Sequence, residues 1–310
     1  MSTKSLRMAY GETLVALGRE NKNVVALEAD LGKSTMSCLF QNEFPERYFE
    51  MGISEQNMAS TAAGLALTGK IPFISTFAVF MSGRAYDQIR QTISIAKLNV
   101  KICGSSSGLS DYGDGSTHQA IEDMAIMRAI PNMTVLVPAD AVETRKMVRV
   151  AAKQKGPVYI RINRNDLPIC TPEEGDYEIG KLSTVKEGKD AVIFANGVMV
   201  SKALEAAEEL ERDGISIKIV NAGTVKPLSP ETVKEAVKGF KAVVTAEEHS
   251  VIGGLGSAVA ECLRGEINLP VEFVGIQDTF GTSAQNYDEL MEYYGLTPKA
   301  IVAAVKKVWG

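Results

Sequence analysis

The sequence predicts two consecutive α/β domains. Three observations lead there: short apolar runs without strict alternation, helix-like segments between them, and one stretch rich in proline and glycine that breaks the rhythm. Runs of this kind belong to a mostly parallel sheet covered by helices on both faces. A length of 310 residues also exceeds what one hydrophobic core usually serves.

Residues 5–20 read as an amphipathic helix, and Val24-Val25-Ala26-Leu27 as a strand that ends in Glu28-Ala29-Asp30. Further strands are expected at 71–75, 100–103, 134–137 and 158–162, with helices around 55–68, 82–97, 119–128 and 140–153. Asp140 and Glu143 have capping-box spacing at the last helix start. Residues 166–188, with Pro168, Pro172, Gly175 and Gly180, read as a connector with room for one short hairpin. The rhythm resumes with strands near 190–195, 215–220, 241–246 and 271–275. Ser229-Pro230 and Thr297-Pro298 each place an N-cap before a proline suited to the first helical turn. Domains of 1–165 and 189–310 result.

A formal net charge of -5 disfavours a nonspecific nucleic-acid binder. The N-terminus lacks a basic-then-apolar signal pattern, and no apolar stretch approaches membrane-spanning length. The cysteines Cys38, Cys103, Cys170 and Cys262 lack CxxC spacing, which favours buried thiols in a reducing cytoplasm over disulfides or zinc.

In parallel α/β domains ligands gather beyond the carboxyl ends of the strands. Asp30, Ser34, Glu55, Asp114 and His118 fall at or after such ends. Each also has a plain reading: Asp30 suits a turn, and Glu55 suits the positive end of a helix. Glu55 precedes a small-residue helix with Ala59, Ser60, Ala62, Ala63 and Gly64, which allows close approach by a helix or second chain. Burial there would raise a carboxylate's pKa, against the helix dipole, and suit it to share a proton with a heterocyclic nitrogen. Phe77 and Phe80 serve equally as core or as a flat wall for a planar ring. The small, polar segment 105–118 suits a loop held near a ligand. No His or Cys pair has metal-ligand spacing. Gly253-Gly254-Leu255-Gly256 lacks the context of a dinucleotide fingerprint and reads as the start of a tightly packed helix.

Taken in order, Asp30–Ser34, Gly52–Glu55, Ser75–Phe80, Asp114–Gln119, Asn163–Pro168, Glu247-Glu248-His249, Phe280-Gly281 and Tyr294-Gly295-Leu296 resemble the C-terminal half of transketolase. That resemblance implies a thiamine-diphosphate pyrimidine-binding domain followed by a transketolase-type C-terminal domain. It implies that Glu55 hydrogen-bonds the aminopyrimidine of thiamine diphosphate, that Phe77 and Phe80 wall the pyrimidine, and that Asp30 lies near cofactor and subunit interface. By the same resemblance Asp114 recognises a sugar hydroxyl, His118 contacts donor and intermediate oxygens, and Ser34 and Arg164 receive a sugar phosphate. The implied reaction moves a two-carbon ketol unit from a ketose phosphate to an aldose phosphate.

Two positions depart from the family pattern: Ser106 replaces an expected histidine and Gly83 an expected aromatic. Ala85-Tyr86-Asp87-Gln88 also resembles deoxyxylulose-phosphate synthases and beta subunits of 2-oxo-acid dehydrogenases, the competing enzyme reading. A regulatory homologue without chemistry is the non-enzymatic one. Gly113-Asp114-Gly115 resembles the start of the family's magnesium–diphosphate motif, but Asn132 comes too early to complete it. The expectation is therefore a split enzyme. A separate N-terminal subunit would supply most of the magnesium and diphosphate contacts, around a homodimer of this chain in a heterotetramer.

Overall fold

The computed structural model describes residues 2–265 and 268–310. Its first sheet has seven strands in the spatial order Thr224–Lys226, Thr134–Leu136, Val158–Arg161, Lys101–Ser105, Ile71–Phe77, Val24–Glu28 and Tyr48–Glu50. All neighbours run parallel except the first pair. Every residue of Val24–Glu28 and Lys101–Ser105 is buried, which is why these runs do not alternate in sequence. Within Ile71–Phe77, Phe73 packs with Leu6, Tyr10 and Leu14 on one face, while Ile74 packs with Met58, Ile93 and Met124 on the other.

The second sheet has five strands in the order Val271–Ile276, Ala242–Ser250, Ala191–Ala195, Ile217–Asn221 and Ser183–Lys186. Its first three pairings are parallel and the last antiparallel. Residues 166–188, read as a connector, contain two strands. Asp166–Pro168 pairs antiparallel with Thr3–Ser5, and Ser183–Lys186 forms the edge of the second sheet. Thr224–Lys226 crosses back to extend the first sheet beside Thr134–Leu136.

Helix starts follow local chemistry. Asp140 accepts from the Glu143 amide at 2.9 Å, while the Glu143 carboxylate turns back to the Ala139 amide at 2.7 Å. Thr297 caps Pro298–Trp309 by accepting from the Ala300 amide at 3.1 Å. The Glu247 carboxylate takes the amides of Leu255 and Gly256 at 2.7 and 2.8 Å, opening the glycine-rich helix Leu255–Leu263.

Two expected helices differ. Residues 82–97 are interrupted by π-helical turns at Phe80–Arg84 and Ile89–Ser94, where Ala85 donates to Phe80 and Ile95 to Arg90. The helix expected from 119 begins at Asp123, because Ala120 is paired with Gly108 in an antiparallel bridge. Among the described residues no helix is long and apolar enough to cross a membrane.

Candidate active site

The parallel strands of the first sheet deliver their carboxyl ends to one edge, where the loops carrying Asp30, Phe77, Ser106 and Arg164 emerge. Phe77 ends its strand and Phe80 begins the π-helical turn. Their rings stack with centroids 6.1 Å apart and planes 11° from parallel. The His118 ring stands nearly perpendicular to both, 6.2 Å from Phe77 and 5.3 Å from Phe80. Thr117 Oγ1 lies 2.9 Å from His118 Nδ1.

At one end of this wall Glu55 begins the helix Glu55–Leu67 and is only 1% exposed. Arg84 Nη1 reaches both carboxylate oxygens, at 2.8 and 2.9 Å. The Arg84 side chain is 45% exposed, and its guanidinium lies 4.6 Å from the Phe80 ring centroid. The π-helical turn sets Phe80 and Arg84 on one side.

At the other end the Arg164 guanidinium sits 5.8 Å from the Phe77 centroid and donates to Asp111 Oδ2 at 3.0 Å. Arg7 ties this arginine to the preceding loop, donating from Nε to the Arg164 carbonyl at 2.9 Å and from Nη1 to the Ser34 carbonyl at 2.7 Å. Burial, then the Arg164 charge, pull the Arg7 pKa below its ordinary value. Burial raises the Asp111 carboxyl, Arg164 opposes that shift, and neighbouring Asp114 adds to it. Asp114 itself is exposed at the head of the turn Gly115–Thr117.

Asp30 and Ser34 line a hollow of about 500 Å³ with Lys33, Cys38, Tyr48 and Glu50. Asp30 adopts φ +60° and donates its amide to Glu50 Oε1 at 2.8 Å. Linked contacts thus run from Glu55 through Arg84, Phe80, His118 and Phe77 to Arg164, then through Arg7 to the Ser34 loop. No local sequence pattern marks Arg7, Arg84 or Asp111, whose partners lie far along the chain. Arg84 directly follows Gly83, whose added Cβ would meet nothing within 4 Å. Ser106 is fully buried at φ +51°, and its hydroxyl lacks a hydrogen-bond partner, as do those of Ser105 and Thr76.

Residues 2–169 match the model for the transketolase pyrimidine-binding domain, and residues 180–301 match that for the transketolase C-terminal domain. The chain belongs to the transketolase family. It is 47% identical, over 97% of its length and 95% of the relative's, to a transketolase C-terminal section from Methanocaldococcus jannaschii. It is 42% identical to a 6-deoxy-6-sulfo-D-fructose transketolase subunit from Clostridium sp., covering 98% of this chain and 94% of that one. A solved split-gene transketolase, described as an inactive beta4 tetramer, superposes with a TM-score of 0.90 at 49% identity and 99% coverage of both chains. This transketolase-family chain thus shares with these relatives, over nearly their whole length, a pyrimidine-binding domain followed by a C-terminal domain.

Membership of the family implies thiamine-diphosphate binding. The side chains present fit the pyrimidine half of that group: two stacked aromatic rings offer a planar apolar wall, and a buried carboxylate offers an acceptor for a ring nitrogen. Unpartnered hydroxyls at the ends of the two central strands add polar atoms beside that wall. Among the described residues no group of three or more His, Cys, Asp or Glu side chains could hold a metal ion.

Proposed function

We propose that this chain is the pyrimidine-side subunit of a thiamine-diphosphate-dependent transketolase that moves a two-carbon ketol unit from a ketose phosphate to an aldose phosphate. A separate subunit carries most of the magnesium–diphosphate site, and the two assemble as a heterotetramer around a dimer of this chain. The observation that carries this reading is the Phe77–Phe80 wall, with a buried carboxylate at one end and the linked arginines Arg164 and Arg7 at the other. The 49%-identical split-gene tetramer, inactive as beta4, supports the need for a partner.

In this reading Glu55 holds the proton shared with the pyrimidine nitrogen, and Phe77 and Phe80 exclude water from that face. When bound, thiamine diphosphate supplies the carbanion chemistry that no side chain provides. Asp30 lies at the cofactor's edge near the subunit interface. His118 and Asp114 orient sugar oxygens by hydrogen bonding. Arg164 and the Ser34 loop receive the phosphate, for which a guanidinium fork is geometrically suited. The unpaired thiols of Cys38, Cys103, Cys170 and Cys262 support a reducing cytoplasm as the setting.

Reconstitution with the candidate partner, magnesium and thiamine diphosphate, given xylulose 5-phosphate and ribose 5-phosphate, should yield ketol transfer without carbon dioxide. Full activity of the purified chain alone would sink the split arrangement. With pyruvate supplied in a parallel assay, carbon dioxide release would point to the 2-oxo-acid or deoxyxylulose-phosphate chemistry instead. Because one relative acts on a sulfo-sugar, a sulfonate donor belongs in the same assay.

A further inference from the structure

The second domain reaches into the site through one carboxylate. Glu248 belongs to the strand Ala242–Ser250, but its side chain points into the first domain and is buried there. Oε1 accepts the Leu109 amide at 2.8 Å, and Oε2 accepts from Asn163 Nδ2 at 3.0 Å. Asn163 Nδ2 also lies 2.9 Å from Tyr287 Oη, and its Oδ1 accepts the Asn165 amide at 2.8 Å.

Both partners are strategically placed. Leu109 opens the loop 109–119, whose neck is closed by hydrogen bonds of 2.8 and 3.0 Å between Gly108 and Ala120. That loop carries Asp111, Asp114 and His118. Asn163 directly precedes Arg164. A Cβ on Gly108, which has φ +63°, would lie 2.4 Å from the Glu248 carboxyl group, so the acid needs a bare backbone to come this close. Other second-domain contacts hold the same loop: Ala284 donates its amide to the Tyr112 carbonyl at 2.9 Å, and Gln119 Nε2 donates to the Thr282 carbonyl at 2.9 Å. A buried carboxylate costs desolvation that an apolar side chain would avoid, so two amide partners in two site loops point to a geometric duty.

We propose that Glu248 is a positioning residue for substrate recognition. By holding Leu109 and Asn163 together, it fixes the spacing between the hydroxyl-facing loop 109–119 and the phosphate-facing Arg164. The inference rests on the sugar-phosphate reading of this site.

The test has two arms. In the reconstituted complex, Glu248→Gln keeps an acceptor for the Leu109 amide but sets its Nε2 against Asn163 Nδ2; it should raise KM for the ketose phosphate about tenfold, with kcat within about twofold. The exchanged pair Glu248→Gln with Asn163→Asp again faces a donor with an acceptor, and should restore KM to within about threefold of wild type. This pair also serves if Glu248→Gln alone folds poorly. An unchanged KM in Glu248→Gln, or an exchanged pair as impaired as the single variant, overturns the proposal. In the second arm, amide hydrogen exchange on the chain alone should quicken across 109–119 in Glu248→Gln. Unchanged exchange there also overturns it. Faster exchange alongside a wild-type complex that transfers no ketol unit would place the failure in the functional reading, not in the role of Glu248.

Discussion

A single nitrogen of Arg84 lies 2.8 and 2.9 Å from the two carboxylate oxygens of Glu55. The carboxylate is buried and the arginine half in water, so the pair compensates a charge that would otherwise stand alone inside the protein. Arg84→Met should destabilise the isolated chain by about 2 kcal/mol in urea unfolding, and adding Glu55→Gln should recover most of that loss. Additive losses in the double variant would show that the pair does not couple.

Glu55→Gln keeps the volume of the side chain but removes its proton-sharing carboxylate. Ketol transfer in the reconstituted complex should fall at least ~100-fold, while the folded structure by circular dichroism stays the same. Near-normal turnover would remove Glu55 from its assigned role.

Arg164→Ala deletes the guanidinium that bridges Asp111 and the Phe77 face. KM for phosphorylated donors should rise by about 10- to 100-fold, with little change for non-phosphorylated sugars. Equal losses on both classes would assign Arg164 to loop structure and not to phosphate.

Burial pushes the Glu143 carboxyl up to about 7, against hydrogen bonds from the Ala139 amide and Asn221 Nδ2. The folded chain therefore holds a proton that the unfolded chain releases near 4.5. Its contribution to stability is complete below pH 4.5 and is lost as pH rises to about 7. Buried His249, pulled down from 6.5 to about 4, contributes the opposite slope across much of the same range, so the comparison must be with wild type. In Glu143→Gln, the plot of unfolding free energy against pH should change slope by up to about 1.4 kcal/mol per pH unit between 4.5 and 7. Parallel curves would count against titration of Glu143.

Arg161 and Asp123 are both buried, joined by hydrogen bonds of 2.9 and 3.0 Å, and Arg161 Nη2 also donates to the Glu248 carbonyl. Arg161→Met strands Asp123 without its cation and should cost about 3–5 kcal/mol in urea unfolding. A loss below about 1 kcal/mol would mean that Tyr159, which donates to Asp123 at 2.7 Å, suffices alone.

Local signals made much of this visible beforehand. Buried strands betray themselves as apolar runs, and caps such as Asp140 and Thr297 act within three residues of themselves. Glu55, Phe77 and Phe80 stood out through the ordered set of motifs around them. Arg84 and Arg7 did not, and Glu248 stood in one of those motifs without a role, because their meaning lies in partners 29, 157 and 139 residues away. The late start of the helix at Asp123 was hidden for the same reason: its cause is a bridge to Gly108.

Thr224–Lys226 belongs by sequence to the second half and by hydrogen bonding to the first sheet. The two halves therefore share a ladder, and neither can melt without breaking backbone bonds in the other. A cut between residues 169 and 180 would strip the first sheet of its edge strand, exposing the unpaired backbone of Thr134–Leu136 to any passing strand. The two domains are in this sense joined twice, once by the connector and once by a shared strand pairing.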